Sequence, residues 1–220
     1  MKNIVRDIIE NYLSKRIEAI WERCSKIGIK IPYTVEEAGF NSLLLASIYD
    51  YIKEKEDGFS FAVSEAAIER YGNKGCRGDI IWYRENEVCY FELKGSCYGG
   101  KHVNTDVENA KKSMDYAKYQ LEGINYNKNE NWYYQYEDPR DKNLQNRYGC
   151  CLGMIQSIIK DGKSNYSEIE ELLEKNKNIE VFYKYKFPNE KLSIVTDGDK
   201  RYKNDGYFII GNVNEITNVI

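Results

Sequence analysis

The run Arg77-Gly78-Asp79-Ile80-Ile81-Trp82-Tyr83-Arg84-Glu85-Asn86-Glu87-Val88-Cys89-Tyr90-Phe91-Glu92-Leu93-Lys94-Gly95 constrains the chain more than any other stretch. Two segments rich in aromatic and β-branched residues, Asp79–Tyr83 and Val88–Lys94, flank the polar Arg84–Glu87, which is the pattern of a β-hairpin. With Glu85-Asn86 as a two-residue turn, Tyr83 faces Val88, Ile81 faces Tyr90 and Asp79 faces Glu92. Alternation puts Val88, Tyr90, Glu92 and Lys94 on one face of the second strand and Cys89, Phe91 and Leu93 on the other. A strand apolar on both faces is usually buried, so the rest of the chain has to cover this hairpin from two sides.

The charges at the strand end are the chemically informative part. Directly opposed residues have β-carbons about 4.5–5.5 Å apart, and two carboxylates at that spacing repel unless a cation lies between them. Lys94 joins Asp79 and Glu92 on the same face. Carboxylate oxygens suit Mg²⁺ or Mn²⁺, ions that polarise phosphates and acidify a bound water. A neighbouring lysine can orient or deprotonate that water, or stabilise charge in the transition state. The chemistry indicated is phosphodiester hydrolysis. A plainer reading makes Asp79 a strand-start residue, with Glu92 and Lys94 on the exposed face of an edge strand, where a Glu–Lys diagonal contributes little.

Gly78-Asp79, a gap of twelve residues, then Glu92-Leu93-Lys94 closing an apolar strand resembles the PD-(D/E)xK nuclease superfamily, with Gly78 where the family name has Pro. The resemblance runs over about residues 34 to 160 and is sharp only from 75 to 95. It implies an α/β fold, a restriction-endonuclease-like mixed central sheet flanked by helices. It further implies a metal held by Asp79, Glu92 and the Leu93 carbonyl, with Lys94 acting on the attacking water. An additional acid on the first helix of the core is common in the family, and Glu37 fits that place best. Thr34 and Glu37 also form a capping box, so Glu37 can equally serve as a helix cap. In the helix after the hairpin, the resemblance implies that Gln120 or a lysine, Lys111, lines the substrate groove.

The expected organisation is a single domain spanning 1–220. It comprises an N-terminal helix in 1–32, a catalytic core in 34–160, and C-terminal strands and a helix in 161–220. Apolar residues from Ile4 to Cys24 recur at helical spacing, forming a face for the chain's own core or for a second copy. Phe59, Phe61 and Val63 alternate as a strand, with Glu65 on the same face, either extending the acidic cluster or pairing with Arg77. The glycine-rich 71–78 reads as a loop whose Lys74 and Arg77 can meet a phosphate. Residues 95–102 read as a flexible basic loop with Lys101 and the lone histidine, His102. A helix from Asn104 to Leu121 carries Lys111, Lys112 and Lys118. The polar, tyrosine-rich 124–147 is a long connection whose Trp132, Tyr133, Tyr134 and Tyr136 can stack on bases or cover the core. Strands are expected at 149–159, 179–187, 192–196 and 207–210, with a helix at 167–174.

The net charge of −3 excludes nucleic-acid binding by bulk charge and requires a local basic surface. The six cysteines show no paired C-x-x-C spacing and read as free thiols. No apolar run reaches membrane-spanning length and no signal-peptide pattern is present, so a cytoplasmic location is the default expectation. The resemblance implies a Mg²⁺- or Mn²⁺-dependent deoxyribonuclease, an endonuclease of restriction or phage defence. DNA is the expected partner, RNA the alternative, and a homodimer through the N-terminal helix is expected. A non-catalytic binding or immunity protein on the same fold is the competing class.

Overall fold

The computed structural model describes residues 1–27, 37–55, 60–84, 87–98, 103–124, 146–188, 193–197 and 200–216. The hairpin forms in the expected register: Ile80 pairs with Phe91, Ile81 with Tyr90, Trp82 with Cys89 and Tyr83 with Val88. Its strands are longer than their apolar centres suggest, β2 spanning Asn73–Arg84 and β3 Glu87–Tyr98. β1, Phe61–Arg70, precedes them, and β1, β2 and β3 form an antiparallel meander. The expected loop at 71–78 is therefore a turn at Tyr71-Gly72 followed by strand. Tyr71 takes φ +49° and Gly72 φ +76°, a tight reversal that leaves Asn73–Gly78 free to pair with β1.

After β3 the chain crosses over through helix α4, Val103–Glu122, into β4, Asn146–Lys160, which lies parallel to β3. Short β5, Lys163–Ser164, turns back on β4. β6, Glu180–Lys186, β7, Ser193–Asp197, and the long β8, Lys200–Glu215, complete an eight-stranded mixed sheet among the described residues. Its central order is β1-β2-β3-β4-β8-β6. β8 extends well beyond the expected 207–210, because Asn204 and Asp205 bury their polar groups against Gln156 and Ser157 of β4.

Helices cover both faces, as a sheet buried on two sides demands. α1, Lys2–Ile8, runs through a π-helical turn, Ile9–Leu13, into α2, Ser14–Ile27. Together with α3, Glu37–Lys55, these pack on the face carrying Ile80, Trp82, Cys89, Phe91 and Leu93. Val5, Ile8, Ile9, Leu13, Ile17, Trp21 and Cys24 are all buried there. The N-terminal apolar stripe is thus spent on the chain's own core, which removes the reason for placing a dimer interface on it. α4 and α5, Tyr166–Glu174, cover the opposite face over Ile81, Tyr83, Val88, Tyr90 and Ile155. No helix among the described residues is long and apolar enough to cross a membrane.

Candidate functional site

Beyond the Ile80–Phe91 pair the hairpin carries its charged residues. Asp79 does not simply face Glu92 across the gap. Its Oδ2 accepts a hydrogen bond from the backbone N–H of Leu93 at 2.5 Å, which fixes the carboxylate beside the Glu92-Leu93-Lys94 segment. From the other side of the sheet, α3 reaches the same strand: Asn41 Nδ2 donates to the Asp79 backbone carbonyl at 3.2 Å. Both ends of Asp79 are thereby positioned, one by β3 and one by α3.

Glu92 is 3% exposed and holds two cations. Arg70 Nη2 donates to Oε2 at 2.6 Å and Lys94 Nζ to Oε1 at 3.4 Å. Burial and the Asp79 charge push the Glu92 carboxyl up to about 6, while Arg70 and Lys94 pull it down. Two cations therefore offset only part of the desolvation and repulsion acting on Glu92. Lys94 also lies 5.7 Å from the ring centroid of Tyr116 on α4, a cation–π distance.

The sheet brings Asp79, Glu92, Leu93 and Lys94 together not at a strand end but midway along β2 and β3, where the pairing between the two strands stops after Ile80–Phe91. Glu37 is the first residue of α3, but its side chain and the capping residue Thr34 lie outside the described residues, as do Lys101, His102 and the aromatics of 132–136. The side chain that α3 does deliver is Asn41, one helical turn beyond Glu37 on the same face. Arg77 is exposed and pairs with Glu65 at 3.7 Å, so of the two readings of Glu65 the ion pair holds. Lys111 is half-exposed on α4. Gln120, also on α4, has a buried Oε1 with no hydrogen-bond partner among the described residues.

Arg70 is absent from the sequence expectations, and its arrival has a local cause. Glu65 takes φ +54°, and the Ser64–Ile80 and Ala66–Gly78 pairs bracket it opposite Asp79. Before this point Ala62 packs under α1–α3, whereas after it Ala66 and Ile68 pack under α4. The break inverts the alternation of β1, so Arg70 follows Ala66 and Ile68 onto the face of Glu92.

In donor type the site suits a hard divalent cation. It offers two carboxylates and a backbone carbonyl, although Arg70 and Lys94 already contact Glu92. Asn41 Oδ1 is buried with no partner among the described residues, but Asn41 lies on the α3 side of the sheet, opposite the face that carries Glu92. No group of three or more His, Cys, Asp or Glu side chains suited to a metal occurs among the described residues, so the carbonyl and water would complete any coordination shell. Comparison with family models, curated proteins and solved structures finds no match to this chain.

Proposed function

We propose that the chain is a metal-dependent deoxyribonuclease with a restriction-endonuclease-like fold. The observation that carries this reading is the convergence of Asp79, Glu92 and Lys94 where the pairing of a buried hairpin stops, with Lys94 Nζ 3.4 Å from Glu92 Oε1. The helix before the hairpin and the helix after it also agree with the resemblance. Mg²⁺ or Mn²⁺ would be held by Asp79, Glu92 and the Leu93 carbonyl, and when bound would supply Lewis-acid polarisation of a phosphate and an acidified water.

The chain's own residues do the rest. Leu93 N–H holds the Asp79 carboxylate toward β3, and Asn41 fixes the backbone beneath it. Arg70 balances Glu92 on the side away from Lys94. As an ammonium, Lys94 donates hydrogen bonds, which suits it to orient the attacking water and to stabilise charge developing on the phosphate oxygens. A specific observation favours a second reading. Arg70 already supplies a cation to Glu92, as it would in a non-catalytic module that keeps the fold.

Cleavage of plasmid DNA, linear and circular, and of single-stranded DNA with Mg²⁺, Mn²⁺ or EDTA separates the two, with wild type and Lys94→Ala run side by side. The nuclease reading expects metal-dependent cleavage that Lys94→Ala reduces at least about 100-fold, the scale of a lost positioned transition-state donor. Intact DNA and RNA under every condition, with no heat of Mn²⁺ binding by calorimetry, would leave the non-catalytic reading.

A further inference from the structure

Three tyrosines run outward from Lys94 across the surface. Tyr116 carries the Lys94 ammonium 5.7 Å from its ring centroid. Tyr119 lies next, its ring 6.4 Å from Tyr116 and inclined by 26°. Tyr71, from the β1–β2 turn, stacks on Tyr119 at 4.8 Å and 26°. All three are more than half exposed, at 58%, 53% and 55%. The other large exposed apolar side chains among the described residues, Ile27 and Tyr49, sit apart on α2 and α3. Single exposed aromatics are ordinary, but a contiguous, near-parallel series beside a candidate phosphate-handling site is not.

The outer end of the series, Tyr71, is also held in place. Tyr71 keeps its left-handed backbone because its N–H donates to the Gly123 carbonyl at 2.8 Å and its hydroxyl donates to the Tyr119 carbonyl at 2.7 Å. A ring fixed in this way loses little entropy when a ligand stacks on it. Lys112, exposed on α4, precedes Tyr116 and Tyr119 at i, i+4 and i+7 spacing, placing a cation in line with the rings.

We infer that Tyr116, Tyr119 and Tyr71 form a stacking platform for the unpaired bases of a single DNA strand, whose backbone then runs toward Lys94. Paired bases bury their faces in the duplex, so only an unpaired strand offers them to a ring, whatever its sequence. The inference deepens the proposed function and rests on it for the identity of the adjoining site. It makes the substrate one with a single-stranded segment.

The test is fluorescence anisotropy with labelled oligo-dT and a labelled duplex, both in EDTA so that nothing is cut. Wild type is compared with Tyr116→Leu, Tyr119→Leu and the matching Phe variants, all with melting temperatures checked by circular dichroism. Each Leu variant is expected to weaken oligo-dT binding about tenfold, with duplex affinity unchanged and with Phe retaining wild-type binding. Leu variants that bind oligo-dT like wild type, or a wild type that prefers duplex, would overturn the platform. Parallel incubation with Mg²⁺ keeps the two ideas apart. Tyrosine-dependent binding without cleavage removes the nuclease and leaves the platform. Cleavage of duplex with no tyrosine dependence removes the platform alone.

Discussion

Arg70 and Glu92 form a nearly buried ion pair, Nη2 to Oε2 at 2.6 Å, with the two side chains 10% and 3% exposed. The guanidinium stands on the carboxylate that would hold a metal. Arg70 Nε is buried without a partner among the described residues, so the pair is incompletely satisfied, and such pairs are poor stabilisers compared with the cost of removing one member.

Arg70→Ala should therefore destabilise the metal-free protein. Losing one member of a buried pair costs about 3–5 kcal/mol, moderated here because Glu92 can protonate. The loss should be larger at pH 8 than at pH 5. If Arg70 and a metal ion serve Glu92 in the same way, Mg²⁺ should restore most of the loss at pH 8. Urea denaturation of the variant with Mg²⁺ and with EDTA measures this. A deficit equal at both pH values and indifferent to Mg²⁺ would show that the metal does not reach Glu92.

The pH dependence of Glu92 has a definite sign. Burial and Asp79 hold its carboxyl at about 6 in the folded chain, above the about 4.3 of an unfolded Glu. A raised folded pKa favours the protonated form, so its contribution to stability is complete below the unfolded value. That contribution is lost as pH rises through about 6. The shift corresponds to about 2 kcal/mol. The stability difference between wild type and Glu92→Gln should move by this amount against wild type between pH 4 and pH 7.5 in EDTA. Metal affinity runs the other way, since ligating carboxylates must be ionised. Mn²⁺ binding by calorimetry should weaken below pH 6 and level off above pH 7.

Glu65 makes a third test. A non-glycine residue at φ +54° is in a sparsely populated region, and β-branched side chains tolerate it worst. Glu65→Gly should leave the fold at least as stable, the relief of strain offsetting the loosened unfolded chain. Glu65→Val should cost about 1–3 kcal/mol. Because the break at Glu65 turns Arg70 toward Glu92, Glu65→Val should also lower the Mg²⁺-independent stability gained from Arg70. Comparing it with Glu65→Val/Arg70→Ala by urea denaturation isolates that coupling. Full additivity would mean the break and the ion pair are unrelated.

That break also marks where the sequence stops being legible. The hairpin register and the grouping of Asp79, Glu92 and Lys94 follow from alternation and apolar patterning alone. These are local rules, and Ile80–Phe91 through Tyr83–Val88 obey them. Arg70 is invisible to the same rules, because plain alternation from Phe61 and Val63 sends it to the other face. Only the left-handed backbone at Glu65, a residue with no glycine signature, reverses the count. Asn41 was within reach, being one helical turn from Glu37, but its polar amide gave no reason to expect it beside a strand carbonyl. Tyr71 was hidden by its neighbours: the glycines of 71–78 suggest a loop, whereas one two-residue turn and its anchorage to α4 account for the conformation.

The anchorage of that turn gives the last prediction. Gly123, just past α4, accepts from Tyr71 N–H, and a Cβ built on it would overlap the Tyr71 ring. The ring cannot swing away cheaply, since it is stacked on Tyr119 and hydrogen-bonded to the Tyr119 carbonyl. Gly123→Ala should therefore cost about 1–3 kcal/mol, the usual range for a forced overlap. Tyr71→Ala alone should cost less, because the ring is half exposed. The double variant should be no less stable than Gly123→Ala alone, because without the ring the added methyl meets open space. A double-mutant cycle by urea denaturation reads this as a coupling energy of about 1 kcal/mol or more. If the two losses simply add, Tyr71 does not occupy the space above Gly123, and the turn is held by its backbone hydrogen bond alone.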